Sequence, residues 1–160
     1  ALPISLSISY EYEPCDSRKA REILLSQDAP YVKKPKEDLH SILTGIRQQK
    51  GHIHLNIGKP LTEAEIAEAA SHSGNDRYQQ LRGILDQRIR SGYKLWKTNY
   101  MGYDLMKGTS EFLGVEYLPQ DLAAFKAYTE HKLNKLERRL NRDALRDIFW
   151  HIYGNPVENR

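Results

Sequence analysis

From Leu2 to Glu13 apolar and polar residues alternate. Leu2, Ile4, Leu6, Ile8, Tyr10 and Tyr12 are separated by Pro3, Ser5, Ser7, Ser9, Glu11 and Glu13. A period of two over this length predicts a strand, with the aliphatic and aromatic row expected in a core. Pro3 stands near the start, where a missing N–H is tolerated, and Pro14 ends the run. A second alternation predicts a strand over His52 to Gly58. It sets Ile53, Leu55 and Ile57 against His52, His54 and Asn56, and Gly58-Lys59-Pro60 closes it.

Elsewhere the period is helical. Asp16 or Ser17 can cap a helix to about Gln27 with Ala20, Ile23 and Leu24 inward. Residues 28–36 hold two Pro and three Lys and read as a loop. Leu39, Ile42, Leu43 and Ile46 then recur at helical intervals, with Gly45 among them. Thr62 and Glu65 form a capping box for a short helix to about Ala70, and 71–75 is a turn. A longer helix follows with Tyr78, Leu81, Leu85 and Ile89 inward, then a short one over Asn99 to Met106. From Pro119 the chain reads as helical nearly to its end. One stripe is Leu122, Phe125, Tyr128, Leu133, Leu136 and Leu140; another is Leu145, Ile148, Phe149 and Ile152. Gly154-Asn155-Pro156 is expected to end the last helix.

The expected fold class is therefore α/β, helix-rich with a few strands, over one domain spanning residues 1–160. Two strands do not complete a sheet. The others are expected upstream or in a partner chain, and the piece is expected to self-associate through its open edge. A chain that enters on its strongest strand reads as the later part of a longer fold.

Composition adds limits. A net charge of +3 over 160 residues is too small to argue nucleic acid by itself. One cysteine, Cys15, excludes an internal disulfide framework and fits a reducing compartment. No apolar run approaches the ~18 residues of a membrane span, and the first residues do not read as a secretion leader. Ten tyrosines suit grooves or interfaces.

Candidate chemistry is sparse. Glu11 and Glu13 share a strand face, as a carboxylate pair or as a solvated, ion-paired edge. His52 and His54 share another, but two ligands without a third are weak grounds for a metal, and none is expected. Cys15 reads as a structural thiol, since no His pairs with it in the sequence. Lys132, Lys135, Arg138, Arg139 and Arg142 read as a solvated face with Glu130 and Glu137 interleaved, or as a surface for anionic lipid or nucleic acid. Tyr93, Trp96, Tyr100 and Tyr103 read as helix packing or as a surface for an acyl chain.

Several segments, in order, carry a resemblance. They are Leu2-Pro3-Ile4-Ser5, Ser9-Tyr10-Glu11-Tyr12-Glu13-Pro14-Cys15-Asp16, Glu37-Asp38-Leu39, Thr44-Gly45-Ile46, Lys50-Gly51 before Ile53-His54-Leu55, and Gly58-Lys59-Pro60-Leu61. Tyr93-Lys94-Leu95-Trp96, Thr98-Asn99-Tyr100, Tyr103-Asp104-Leu105 and Tyr153-Gly154-Asn155-Pro156-Val157 continue the order. The chain resembles the second half of bacterial glycerolipid acyltransferases related to 1-acylglycerol-3-phosphate acyltransferase. His52 departs from the pattern, which has Arg after Lys-Gly.

The resemblance implies the C-terminal portion of that fold. It implies an intact enzyme that moves a fatty acyl group from acyl-CoA or acyl-carrier protein to a glycerol-phosphate-type acceptor in phospholipid synthesis. No cofactor is implied. The expected location is cytoplasmic, at the inner face of the cytoplasmic membrane, with peripheral membrane contact. Leu2, Pro3 and Ile4 match the family's Val-Pro-Val-like segment and become substrate-binding candidates. The family's reactive pair is a His and an Asp with four residues between them. Only three lie between His72 and Asp76. No catalytic residue is thus assigned, and the chain alone is expected to be inactive. The alternative is a non-catalytic helical module that binds a partner or nucleic acid through its basic C-terminal helices.

Overall fold

The computed structural model describes residues 2–27 and 29–159. In chain order the elements are β1 (Ile4–Tyr10), α1 (Asp16–Ser26), α2 (Glu37–Arg47), β2 (Ile53–Pro60) and α3 (Glu63–Ser71), followed by α4 (Asp76–Gly92), α5 (Lys97–Lys107), α6 (Pro119–Leu133) and α7 (Arg142–Glu158). The predicted loop at 28–36 contains no helix or strand from residue 29 on; Asp28 lies outside the described residues. The chain divides into two compact units. The first joins the residues up to Ser9 with Ile53–Lys94, and the second joins Tyr10–His52 with Leu95–Asn159.

In the first unit β1 and β2 make a two-stranded sheet. Leu61 N donates to Pro3 O at 2.9 Å, and Ser5 lies opposite Gly58, where an added Cβ would sit 2.2 Å from the serine Oγ. This antiparallel register puts Ser5, Ser7 and Ser9 on one face with His54, Asn56 and Gly58. Ile4, Leu6 and Ile8 share the other face with Ile53, Leu55 and Ile57.

The buried face is the serine face, contrary to expectation. Ser5, Ser7 and Ser9 are 1 to 5% exposed, whereas the six aliphatic side chains are 47 to 68% exposed. Alternation separates two rows but does not say which row has a neighbour. Here α4 covers the polar row: a Cβ on Gly92 would meet Asn56 Nδ2 at 2.1 Å and Ser7 Oγ at 2.6 Å, so only glycine permits the approach. Of the expected inward residues of α4, Leu81 and Leu85 are half-buried while Tyr78 and Ile89 are exposed. The capping box of α3 is formed as predicted, with Glu65 N donating to Thr62 Oγ1 and Thr62 N to Glu65 Oε2. Among the described residues of this unit only Leu61 and Ala69 are buried apolar side chains.

The second unit holds the core. Ala20, Met101, Tyr117, Phe125, Leu133, Leu145, Phe149 and Tyr153 form one buried cluster. In α1, Ala20 is buried and Leu24 half-buried as expected, but Ile23 is exposed. Helices α5 and α7 meet through two glycines. A Cβ on Gly102 would fall 2.6 Å from Tyr153 Cβ, and one on Gly154 would fall 2.9 Å from Tyr103 Cα. Gly154 therefore serves close packing, not termination, and α7 continues to Glu158 with Pro156 inside it. Pro156 stands near the helix end and forgoes one bond, to the Ile152 carbonyl.

The helical run from Pro119 is broken over 134–141. Arg142 donates to the carbonyls of Leu133 and Leu136, and Asn141 Oδ1 caps α7 by accepting from the N–H groups of Asp143 and Ala144. Helix α2 repeats the inversion seen in the sheet. Leu39, Ile42, Leu43 and Ile46 are 39 to 70% exposed, while Ser41, Thr44 and Gly45 lie on the half-buried side.

The glycine contact gives a stability test. Gly102→Ala should cost about 1–3 kcal/mol by overpacking. Gly83→Ala in α4, where nothing lies within 4 Å of the added Cβ, should be neutral or stabilising by up to about 1 kcal/mol. Denaturant unfolding of the two variants checks both.

Candidate functional site

The strongest constellation of polar groups is buried. Asp16 is 0% exposed. Its Oδ1 lies 2.9 Å from Lys132 Nζ and accepts the Ser17 N–H at 2.6 Å. Its Oδ2 accepts from the hydroxyls of Tyr128 at 2.6 Å and Tyr153 at 2.9 Å. Tyr153 Oη accepts the Glu13 N–H at 3.0 Å. Burial, and then the Asp16 carboxylate, push both phenols above their ordinary range, so they remain donors. A carboxylate has about four lone-pair sites, and Asp16 has filled them. It has no acceptor capacity left for a substrate or a metal, and its role is to join α1, α6 and α7.

Asp104 repeats this logic. It accepts from Thr109 Oγ1 at 2.6 Å, Glu111 N at 2.9 Å, Phe112 N at 3.0 Å and Tyr117 Oη at 2.7 Å. Burial raises its pKa, but the hydrogen bonds outweigh that and leave it lowered. The residue fixes the loop after α5. There Tyr100 and Tyr103 close on Phe112 with ring centroids at 4.8 and 5.6 Å, the packing alternative for the tyrosine-rich stretch.

The residues singled out from sequence are scattered. Leu2, Pro3 and Ile4 are exposed at the entrance to β1. Glu11 and Glu13 take partners separately: Glu11 Oε2 lies 2.7 Å from His52 Nδ1, and Glu13 Oε1 lies 3.2 Å from Lys19 Nζ. They form an ion-paired edge, not a carboxylate couple. His52 stacks on Trp96 at 5.6 Å. No group of three metal-ligating side chains occurs among the described residues. Cys15 is half-buried, its Sγ 3.6 Å from Ser41 O, and burial raises its thiol pKa, which disfavours the nucleophilic thiolate. His72 lies in the exposed turn after α3, and Asp76, also exposed, begins α4.

The basic stripe is not uniformly solvated. Lys132 is 8% exposed and paired with Asp16, and Arg142 is committed to backbone carbonyls. Glu130 and Glu137 pair with Arg146 and Arg21, not with local lysines. Sequence reasoning missed the Asp16 site, although a signal was present. Lys132 stands three and four residues after Thr129 and Tyr128, on the same stripe as Phe125, and a cation on an inward stripe requires a buried anion.

Three open features concern the singled-out residues and the exposed aliphatic rows. One is the aliphatic face of the sheet in the first unit. Another is the aliphatic stripe of α2 in the second. The third, also in the second unit, is a cleft of about 500 Å³ lined by Arg18, Tyr31, Lys34, Lys36, His40 and Lys135 among others. Its acids are largely committed. Glu37 accepts from Tyr31 Oη and Lys34 N, and Glu137 is gripped by Arg21 at 2.7 to 3.0 Å. Lys36 is the non-glycine residue with left-handed backbone among the described residues, at φ 67°. Searches against family models, curated proteins and solved structures return no match to this chain.

Removing the buried anion tests the Asp16 assignment. Asp16→Asn leaves the buried Lys132 without its carboxylate partner and should cost about 3–5 kcal/mol. Tyr128→Phe removes one charged-acceptor bond and should cost about 1.5–3 kcal/mol. Both are read by denaturant unfolding. A second test uses acid. Hydrogen bonds from Arg21 hold Glu137 down at about 2, against ~4.3 unfolded. A depressed carboxylate contributes stability above its unfolded value and loses it as pH falls through the folded one. Arg21→Ala should therefore flatten the fall in stability between about pH 4.3 and 2, measured by unfolding at stepped pH.

Proposed function

We propose that this chain is the C-terminal portion of a glycerolipid acyltransferase. In the intact enzyme a fatty acyl group passes from a thioester, acyl-CoA or acyl-carrier protein, to the hydroxyl of a glycerol-phosphate-type acceptor. The observation that supports this is the sheet. The Leu2-Pro3-Ile4 segment of the resemblance leads into strand β1, which among the described residues pairs only with β2 and leaves its aliphatic face open. An interior strand separated from its other layer has those properties. Covering six half-exposed Leu and Ile side chains would gain on the order of 1 kcal/mol each, enough to hold a second layer of polypeptide against the sheet.

On this reading the covering layer is the half that carries the His and Asp. The His takes the acceptor hydroxyl proton, the oxygen bonds to the thioester carbonyl carbon, and the C–S bond breaks as the proton passes to the departing thiolate. Leu2, Pro3 and Ile4, exposed here, would line the seam and contact substrate. His52 has a carboxylate partner in Glu11 at the position where the family pattern has Arg, so a basic side chain stands there in both. The work would take place at the cytoplasmic membrane surface, where the lipid acceptor resides. The non-catalytic binding module is the less supported reading, because Lys132 and Arg142 of its basic surface are consumed inside the fold.

The test has two arms. The reading frame that encodes this chain should contain, upstream of Ala1, a His and an Asp with four residues between them. Protein extended through that segment should transfer acyl groups from acyl-CoA to 1-acylglycerol-3-phosphate, and the 160-residue chain should not. Transfer by the 160-residue chain above a no-protein control, or an extension without the pair, would overturn the reading.

A further inference from the structure

We propose that α2 and the basic cleft beside it form a docking surface for an anionic lipid bilayer. The helix lies in the second unit and is inverted relative to a core-facing helix. Leu39, Ile42, Leu43 and Ile46, spaced i, i+3, i+4, i+7, point outward, and its small and polar residues Ser41, Thr44 and Gly45 lie on the half-buried side. Val32, in the preceding loop, is 82% exposed. Such a face inserts at the boundary between headgroups and acyl chains when cations stand beside it.

The cations are there. Arg18, Lys34, Lys36 and Lys135 line the cleft at the start of α2; none of the four makes a salt bridge among the described residues, though the charge of Arg18 acts on Glu37. Arg47 stands in the last turn of the helix. Asp38 pairs with Lys33 at 2.7 Å and Glu137 with Arg21. Glu37, held in its charged form by hydrogen bonds from Tyr31 and the Lys34 N–H, and Glu22 are the other carboxylates of the cleft. Against these two stand Arg18, Lys34, Lys36 and Lys135, so the balance of charge is positive.

Lys36 adds an independent observation. Its φ of 67° is a conformation in which glycine is unstrained and lysine is not. A lysine there supplies what glycine does not, a cation on the lining of the cleft. Charge complementarity favours phosphatidylglycerol-type headgroups over zwitterionic ones, and the aliphatic stripe favours a bilayer over a soluble phosphate. The surface does not depend on the acyltransferase reading, since vesicle binding and acyl transfer are measured separately.

Vesicle flotation of the full chain tests this. It should float with phosphatidylcholine vesicles containing roughly a third phosphatidylglycerol, and not with phosphatidylcholine alone. High salt should weaken binding without abolishing it, because the aliphatic contact is not screened. The double variants Ile42→Asp with Ile46→Asp, and Lys34→Glu with Lys36→Glu, should each lower binding by about tenfold or more, with unchanged helical circular dichroism. Leu6→Asp, on the sheet face, should float like the parent chain. Absence of flotation with anionic vesicles would overturn the proposal. So would parent-like binding by both double variants, loss of binding in Leu6→Asp alone, or saturation of the face by self-association.

Discussion

The helical unit depends on one buried ion pair. Taking Asp16 and Lys132 out of water costs several kcal/mol per ion, and that cost is met only because the carboxylate also receives two phenols and an amide. The arrangement specifies geometry more than it adds stability. Asp16 begins α1, Tyr128 and Lys132 lie on α6, and Tyr153 lies on α7. Each partner is satisfied only when the three helices hold one register, and a half-satisfied network would be worse than an apolar core. The aromatic cluster of Phe125, Phe149 and Tyr153 then packs around a fixed frame, with centroids 5.1 to 5.3 Å from the Tyr153 ring.

Among its described residues the first unit has no such anchor. Its buried apolar side chains are two among the described residues, and a two-stranded sheet is marginal in water without another layer. The hydroxyls of Ser5, Ser7 and Ser9 are buried without hydrogen-bond partners, a further cost where water does not reach them. The two units are thus built differently, one around a saturated carboxylate, the other around strands whose best apolar surface is still open.

Much of the element order was legible in the residues. Period two gave β1 and β2, the Thr62–Glu65 box gave α3, and helical spacing gave α2, α4 and α5. What escaped was facing. Periodicity reports that two rows differ, and it is silent on which has a neighbour, so the serine row of β1 reads as outward. Gly154 was read as a stop because Gly before Pro commonly ends helices. Its actual role, admitting Tyr103 of α5, is a tertiary contact that no local pattern encodes. Asp16 was visible only as a cap candidate, since its partners lie more than a hundred positions away.

The shared inversion of β1, β2 and α2 carries an argument of its own. A sequence free to choose would turn Ile4, Leu6 and Ile8 inward and leave serine to water, since burying each aliphatic side chain gains about 1.5–3 kcal/mol and burying an unpaired hydroxyl costs. Small serines opposite Gly58, and Gly92 on α4, instead let a helix approach the sheet closely on the polar side. That closeness requires small side chains on that face. Large β-branched and leucine side chains on the other face have a use only if that face meets an apolar neighbour too. The sheet has a close contact on its polar side and an open aliphatic side, and α2 carries the same signature. For both elements, the outward surface is where the sequence has placed its strongest drive to associate.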